Sequence, residues 1–121
     1  MSFKILVIDD EPTTIKLVQS LFEKKGYKVI VATDGDEGLE KAQEIRPHLI
    51  ILDIIMPRID GLTFMTKIQR IPEIRNIPVI VLTSHVRMAP ALLSKGAKAF
   101  VEKPFNDDVL VKKVESYLNP S

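Results

Sequence analysis

The sequence predicts an α/β fold in which helices cover both faces of a five-stranded parallel sheet. Five short aliphatic runs, rich in Val and Ile, alternate with longer amphipathic segments. Four of the five short runs lack an in–out alternation of apolar and polar residues, which is typical of parallel strands buried on both faces. Successive strand–helix units favour a doubly wound sheet, because right-handed crossovers leave few other arrangements.

The predicted strands are all short. In chain order they are Ile5–Ile8, Val29–Val31, Leu49–Leu52, Val79–Leu82 and a weaker Ala99–Val101.

Start and stop signals define the first two predicted helices. The first runs from position 12, a proline, to about position 25 and ends at Gly26. The second begins at Asp34, where Glu37 has the spacing of a capping-box partner, and runs to about Ile45.

The other three predicted helices have weaker boundaries. They are a third at about Leu62–Ile71, a short fourth at about Ala91–Lys95 that Gly96 ends, and a fifth that begins at Asn106 and buries Val109, Leu110, Val114 and Leu118. We expect Gly61 to provide a positive φ before the third helix, and Phe100, on composition alone, to be a core residue.

Length, composition and charge narrow the function classes. A chain of 121 residues predicts one domain, 1–121, and the absence of cysteine favours a reducing cytoplasm and excludes thiolate metal sites. No apolar run has the length of a membrane span, and a formal charge of +1 gives no electrostatic reason to bind nucleic acid. We therefore expect neither a membrane nor a nucleic-acid partner.

Reactive side chains follow four of the predicted strands. Asp9 and Asp10 follow the first strand, Asp53 the third, Thr83 the fourth and Lys103 the fifth. Because the carboxyl ends of parallel strands share one edge of the sheet, we expect these side chains to converge there.

Three carboxylates, a hydroxyl and an ammonium suit phosphoryl chemistry. Hard oxygen ligands favour Mg²⁺ or Mn²⁺, and a carboxylate can attack phosphorus to form an acyl phosphate. Asp53, at the end of a central strand, is the best candidate for that nucleophile. Taken alone, Asp9 and Asp10 have an alternative interpretation as a cap for the first helix.

At this point the sequence resembles the receiver domain of bacterial and archaeal response regulators. The resemblance covers about Phe3 to Leu118, and the segments that carry it are VIDDEP, ILDIIMPRIDG, PVIVLTS and GAKAFVEKPF. It implies a sheet of strand order 2-1-3-4-5 with five flanking helices, in a cytoplasmic protein of two-component signalling.

The resemblance implies a phosphoacceptor and a metal site. Asp53 would take a phosphoryl group from the phosphohistidine of a sensor histidine kinase or a phosphotransfer protein. Asp10, Asp53 and the backbone carbonyl of Ile55 would bind Mg²⁺, and Asp9 would act largely through water.

The resemblance also implies a switch. The hydroxyl of Thr83 and the amino group of Lys103 would bind the phosphoryl group, and Phe100 would change rotamer with Thr83. Lys103–Pro104 would be a cis peptide bond, and the small Ser84 would leave the acceptor accessible.

The sequence departs from the usual receiver in two places. Twenty positions separate Thr83 from Lys103, about two fewer than is common, and Pro90 predicts that the fourth helix is short. That helix belongs to the output surface of the family, together with the fifth strand and helix.

The second departure is Ile55. An apolar side chain there cannot orient an attacking water, so we expect a long-lived phosphoryl group. Loss of the phosphoryl group within seconds would contradict this expectation.

We therefore interpret the chain as a phosphorylation-controlled switch rather than a metabolic enzyme, acting on an unidentified downstream protein. Two alternatives stay open. One is a receiver-like interaction module that is not phosphorylated. The other is a Mg²⁺-dependent phosphatase, although such enzymes typically carry a second Asp where this chain has Ile55.

Overall fold

The structure is a computed structural model that describes residues 3–54 and 60–118. Within those ranges strands and helices alternate regularly along the chain. The elements are β1 (Lys4–Ile8), α1 (Pro12–Glu23), β2 (Lys28–Ala32), α2 (Gly35–Ile45), β3 (Leu49–Leu52), α3 (Gly61–Ile68), β4 (Val79–Thr83), a 3₁₀ turn (Val86–Met88), α4 (Ala89–Ser94), β5 (Ala99–Glu102) and α5 (Asp107–Leu118).

The five strands form one parallel sheet of order β2-β1-β3-β4-β5. Ile8 is in register with both Ala32 and Leu52, and Thr83 is in register with Glu102. The predicted fold class and strand order are confirmed. The register also matters for function, because it brings the carboxyl ends of β1 and β3 level with each other.

Residues of the sheet alternate between two apolar cores. Leu6 and Ile8 of β1 belong to the core under α2, α3 and α4, whereas Ile5 and Val7 belong to the core under α1 and α5. Both sets are buried, which explains why the strands read as continuous aliphatic runs.

The first turn of α2 is capped much as the sequence predicts. Asp34 accepts the backbone N–H of Glu37 at 2.8 Å. The Glu37 carboxylate in turn accepts the N–H of Thr33 at 2.7 Å, one residue before the position that a capping box uses.

The end of α3 at Ile68 corrects the predicted end at Ile71. Beyond Ile68 the backbone tightens into i→i−3 bonds, such as the one from the N–H of Ile71 to the carbonyl of Ile68 at 3.1 Å. Pro72 disfavours a helical conformation at Ile71, the residue before it, which argues against the predicted end there.

The prediction for Gly61 is wrong. Among the described glycines, positive φ occurs at Gly26 and Gly96, whereas Gly61 is the first residue of α3. A Cβ atom on Gly61 would lie 2.9 Å from the Cα of Ile54. The glycine therefore allows close backbone approach beside the end of β3.

The predicted short fourth helix is confirmed. Its Pro90 lies in the first turn, where the missing N–H costs no hydrogen bond, and Gly96 with φ 110° follows its end.

Two apolar residues predicted to be buried are exposed instead. Val109 of α5 is 52% exposed, and Val111 takes its place in the core. Phe100 is 41% exposed, because it alternates with the buried Val101 on the edge strand β5.

None of the helices in the described part of the chain is long and apolar enough to cross a membrane.

Candidate functional site

Asp53 and Lys103, which follow β3 and β5, each make one further backbone hydrogen bond to the neighbouring strand. The backbone N–H of Asp53 donates to the carbonyl of Ile8 at 3.0 Å, and the N–H of Lys103 donates to that of Thr83 at 2.9 Å. These bonds extend the sheet by one residue beyond β3 and β5. As a result, side chains from distant parts of the sequence start from the same edge.

Asp53 is buried, and its carboxylate has a defined orientation. Asp53 is 8% exposed, and its Oδ1 accepts the backbone N–H of Ile54 at 2.8 Å. Burial raises the pKa of Asp53 above its ordinary value, and the charge of Asp9 raises it further, whereas Lys103 and the Ile54 N–H lower it. Lys103 thus favours the ionised form that burial opposes.

Lys103 is surrounded by three carboxylates. Its Nζ lies 2.9 Å from Asp9 Oδ2, 3.6 Å from Glu11 Oε1 and 3.7 Å from Asp53 Oδ2. Burial acts to lower the pKa of Lys103, but the hydrogen bond from Lys103 to Asp9 and the charges of the three carboxylates outweigh it and raise the pKa. The ammonium is therefore charged, and its direct partner in this structure is Asp9.

Asp9, Asp10 and Asp53 form a group of oxygen donors. Each offers one carboxylate oxygen, and these oxygens all lie within 4.8 Å of one another. Such a spacing and an all-oxygen donor set fit a hard divalent cation such as Mg²⁺. The alternative role as a helix cap is not seen, because α1 begins after Glu11 and the Asp9 Oδ1 accepts the N–H of Glu11 itself at 2.9 Å.

Thr83 lies fully buried at the end of β4. Its Oγ1 accepts the backbone N–H of His85 at 2.9 Å, and a hydroxyl that accepts there still carries a proton to donate. Phe100 lies on the exposed side of β5. Lys103–Pro104 is a cis peptide bond, as the resemblance implied. Ile55, predicted to contribute a carbonyl, lies outside the described residues.

A cavity of about 320 Å³ opens beside Lys103, between the start of α1 and the segment that joins β5 to α5. Its apolar wall includes Leu17, Pro104 and Phe105, and Ser84 lines it as well. Leu17 is 53% exposed. An apolar group from another molecule therefore has access to the neighbourhood of the ammonium.

Sequence reasoning assigned no role to Glu11, although the structure places it in the site. Its carboxylate accepts a hydrogen bond from the hydroxyl of Thr14 and lies near Lys103. In the sequence, the three-residue spacing between Glu11 and Thr14 at the start of a helix is the one feature that indicates a contact between these two side chains. That spacing does not indicate a contact with Lys103, more than ninety positions away.

Comparison with known proteins gives one family. The family model for the response regulator receiver domain matches residues 5–115.

Three similar proteins illustrate the likeness. The chain is 34% identical to the alkaline phosphatase synthesis transcriptional regulatory protein PhoP of Bacillus subtilis, with all of the chain aligned to 50% of that protein. It is 31% identical to the polar-differentiation response regulator DivK of Brucella anthropi, covering 98% of each. The crystal structure of the chemotaxis response regulator CheY4 of Vibrio cholerae superposes with a TM-score of 0.91 at 30% identity, over 98% of this chain and all of that one. The chain thus spans half the length of PhoP and nearly the full length of DivK and CheY4.

Proposed function

Since the chain belongs to the response regulator receiver domain family of two-component signalling, we propose that it is a switch controlled by phosphorylation of Asp53. Receiver domains are signalling switches and are generally not classed as enzymes. We further propose that residues 1–121 form a single receiver domain that works in the cytoplasm. The observation that carries the proposal is the buried, oriented carboxylate of Asp53 beside the ammonium of Lys103.

The environment of Asp53 supports its role as the nucleophile. One oxygen is held by the N–H of Ile54, and Oδ2 lies 3.7 Å from Lys103. In the proposed step a carboxylate oxygen of Asp53 forms a bond to phosphorus. The bond from phosphorus to the imidazole nitrogen of the donor breaks, and the electron pair leaves with the imidazole. Lys103 favours the ionised carboxylate before the step and offsets negative charge on the phosphoryl oxygens during it.

We propose that Asp10 and Asp53 bind Mg²⁺, or Mn²⁺ in its place, and that Asp9 acts largely through water, because oxygens of all three side chains converge within 4.8 Å. We assign the third protein ligand to the carbonyl of Ile55. When bound, the ion would supply positive charge against the phosphoryl oxygens. Asp9 also holds Lys103, so it links the cation site to the ammonium.

We propose that the phosphodonor, a histidine kinase or a phosphotransfer protein, docks over the cavity beside Lys103. Exposed Leu17 and partly buried Phe105 offer apolar contact at the rim, and the opening leads to the ammonium. An imidazole-bound phosphoryl group that enters there meets Lys103 on its path to Asp53.

The signal would leave through α4, β5 and α5. Phosphorylation adds nearly two negative charges next to Thr83 and Lys103. New hydrogen bonds from Thr83 and Lys103 to the phosphoryl group would bias the position of exposed Phe100 on β5. We propose that an unidentified target protein binds this face, including the short α4.

Intact mass after incubation with acetyl phosphate and Mg²⁺ tests the proposal. We expect the unmodified chain to gain one phosphoryl group and Asp53→Asn to gain none. Asp36→Asn, a matched change at the exposed start of α2, should behave as the unmodified chain.

Two outcomes would contradict the proposal in different ways. A gain of mass in Asp53→Asn would show that Asp53 is not the acceptor. No gain in the unmodified chain would favour the alternative, an interaction module that is not phosphorylated.

A further inference from the structure

We infer that Glu11 is a positioning residue, which holds the ammonium of Lys103 at the mouth of the site when Asp9 and Asp53 engage a divalent cation. Glu11 is the third carboxylate of the stretch LVIDDEP. Its side chain does not cap α1, and the proposed phosphoryl transfer assigns no role to it. The inference rests on the proposed function, because it concerns the state in which the cation is bound.

The side chain of Glu11 is 57% exposed, but a neighbouring hydroxyl orients its carboxylate. Thr14 is 4% exposed in the first turn of α1, and its hydroxyl donates to Glu11 Oε1. The same oxygen lies 3.6 Å from Lys103 Nζ. Glu11 is the N-cap residue of α1, but its side chain makes no capping hydrogen bond. The Thr14 contact therefore aims the carboxylate at Lys103 and not at the helix backbone.

The other two partners of Lys103 have a competing role. Asp9 and Asp53 both belong to the group of three carboxylates that can hold a cation, whereas Glu11 does not. A divalent charge shared by Asp9 and Asp53 repels the nearby ammonium and weakens its contacts with both. Of the three carboxylates that surround Lys103 in the described part of the chain, Glu11 is the one that stays available in that state.

A neutral side chain at position 11 should therefore weaken cation binding. In Glu11→Gln none of the described carboxylates outside the cation site pairs with the ammonium, so Lys103 competes with the cation for Asp9. We expect the dissociation constant for Mg²⁺ to rise about three- to tenfold, the size expected when one charge is removed several ångströms from a divalent ion.

The experiment is a calorimetric titration of the full chain with MgCl₂ alone, without phosphodonor. Circular dichroism checks that each variant is folded. Asp10→Asn should abolish binding and so establishes that the heat comes from this site. Asp107→Asn removes a second carboxylate from the rim of the cavity and controls for loss of charge alone, since it forms none of the Lys103 ion pairs described above.

Thr14→Val separates orientation from charge. It keeps the carboxylate of Glu11 but removes the hydroxyl that aims it, so we expect the Mg²⁺ dissociation constant to rise about twofold. The same change should have no further effect in the Glu11→Gln background. In the Lys103→Met background, where no ammonium remains to be held, both changes should shift the constant by less than about twofold.

The outcomes separate this inference from the function it rests on. No Mg²⁺ binding by the unmodified chain would overturn the proposed cation site and the role of Glu11 together. Normal binding that Glu11→Gln leaves unchanged would overturn only the role of Glu11. Weaker binding in Glu11→Gln that persists in full in the Lys103→Met background, or that Asp107→Asn reproduces, would mean a general charge effect and would also overturn the positioning role.

Discussion

At the scale of single residues, Tyr27 illustrates how burial and one partner set the chemistry of a side chain. Its hydroxyl donates to Glu115 Oε2 at 2.6 Å, and its ring lies 6.0 Å, between centroids, from the rings of both Phe3 and Phe22. Burial first, and then Glu115, raise the pKa of Tyr27 to about 12 from the ordinary 10.0. The neutral phenol is thus favoured in the folded protein, and it joins the start of β2 to α5.

We predict that the tyrosinate absorbance contains a component with a midpoint of about 12. Because the pKa is raised on folding, the contribution of Tyr27 to stability is complete below pH 10.0 and is lost as the pH rises to about 12. An absorbance titration checks the midpoint, while circular dichroism shows that the protein stays folded.

The chain has two tyrosines, which supplies the control for this titration. Tyr27→Phe should remove the high component, and Tyr117→Phe should keep it. Glu115→Gln should move the midpoint toward the ordinary value. If the folded protein develops all its tyrosinate absorbance near pH 10.0, the prediction fails.

At the scale of elements, the orientation of α5 decides which of its valines packs against the sheet. Asn106 caps its first turn by accepting the backbone N–H groups of Asp108 and Val109. With the helix started there, Leu110, Val111 and Val114 face the core. Val109 points instead toward the surface that carries Lys112 and Lys113. The register of the helix, rather than the apolar character of each residue, decides which side chain is buried.

We predict that Val111→Ala destabilises the protein by about 1–2 kcal/mol, because it removes two buried methyl groups and leaves a cavity. Val109→Ala, the same change two residues earlier, should alter the free energy of unfolding by less than about 0.5 kcal/mol. Urea denaturation of both variants measures the difference. Equal losses at the two positions would contradict the orientation of α5.

At the scale of the whole molecule, one edge of the sheet carries the charge that the proposed function needs. Asp9, Asp10 and Asp53 lie together there, and Lys103 provides one compensating charge within the group. Negative charge is thus in excess at this edge, although the net charge of the chain is +1. Such an arrangement costs stability unless a cation is bound.

We predict that Mg²⁺ stabilises the folded protein. At a free concentration ten times its dissociation constant, the gain in the free energy of unfolding should be about 1.4 kcal/mol, because the ion binds the folded state only. Thermal unfolding with and without MgCl₂ measures it.

Two variants show whether the gain depends on the site. Asp10→Asn should lose the stabilisation, and Asp36→Asn, which changes an exposed carboxylate of α2, should retain it. An equal gain in the unmodified chain and in Asp10→Asn would point to ion binding elsewhere and would contradict the prediction.

Three of the wrong predictions, those for Val109, Phe100 and Gly61, share one physical origin. Val109 and Phe100 are apolar, but their burial depends on the rotation of α5 and on the edge position of β5. Gly61 is required by the approach of Ile54 rather than by a local turn. In each case the prediction followed from the residue type and its local sequence, whereas the packing of a neighbouring element decides the role of the residue.

The sequence by itself determined the order of the strands and helices along the chain. It also determined the edge of the sheet at which Asp9, Asp53 and Lys103 meet. It could do so because buried parallel strands carry a distinct aliphatic pattern and their carboxyl ends must lie on one side. Only the tertiary structure decided that Lys103 contacts Asp9 more closely than Asp53, and that Glu11 turns back toward it. Those choices depend on differences of less than 1 Å between groups from separate elements, and no local pattern in the chain encodes such distances.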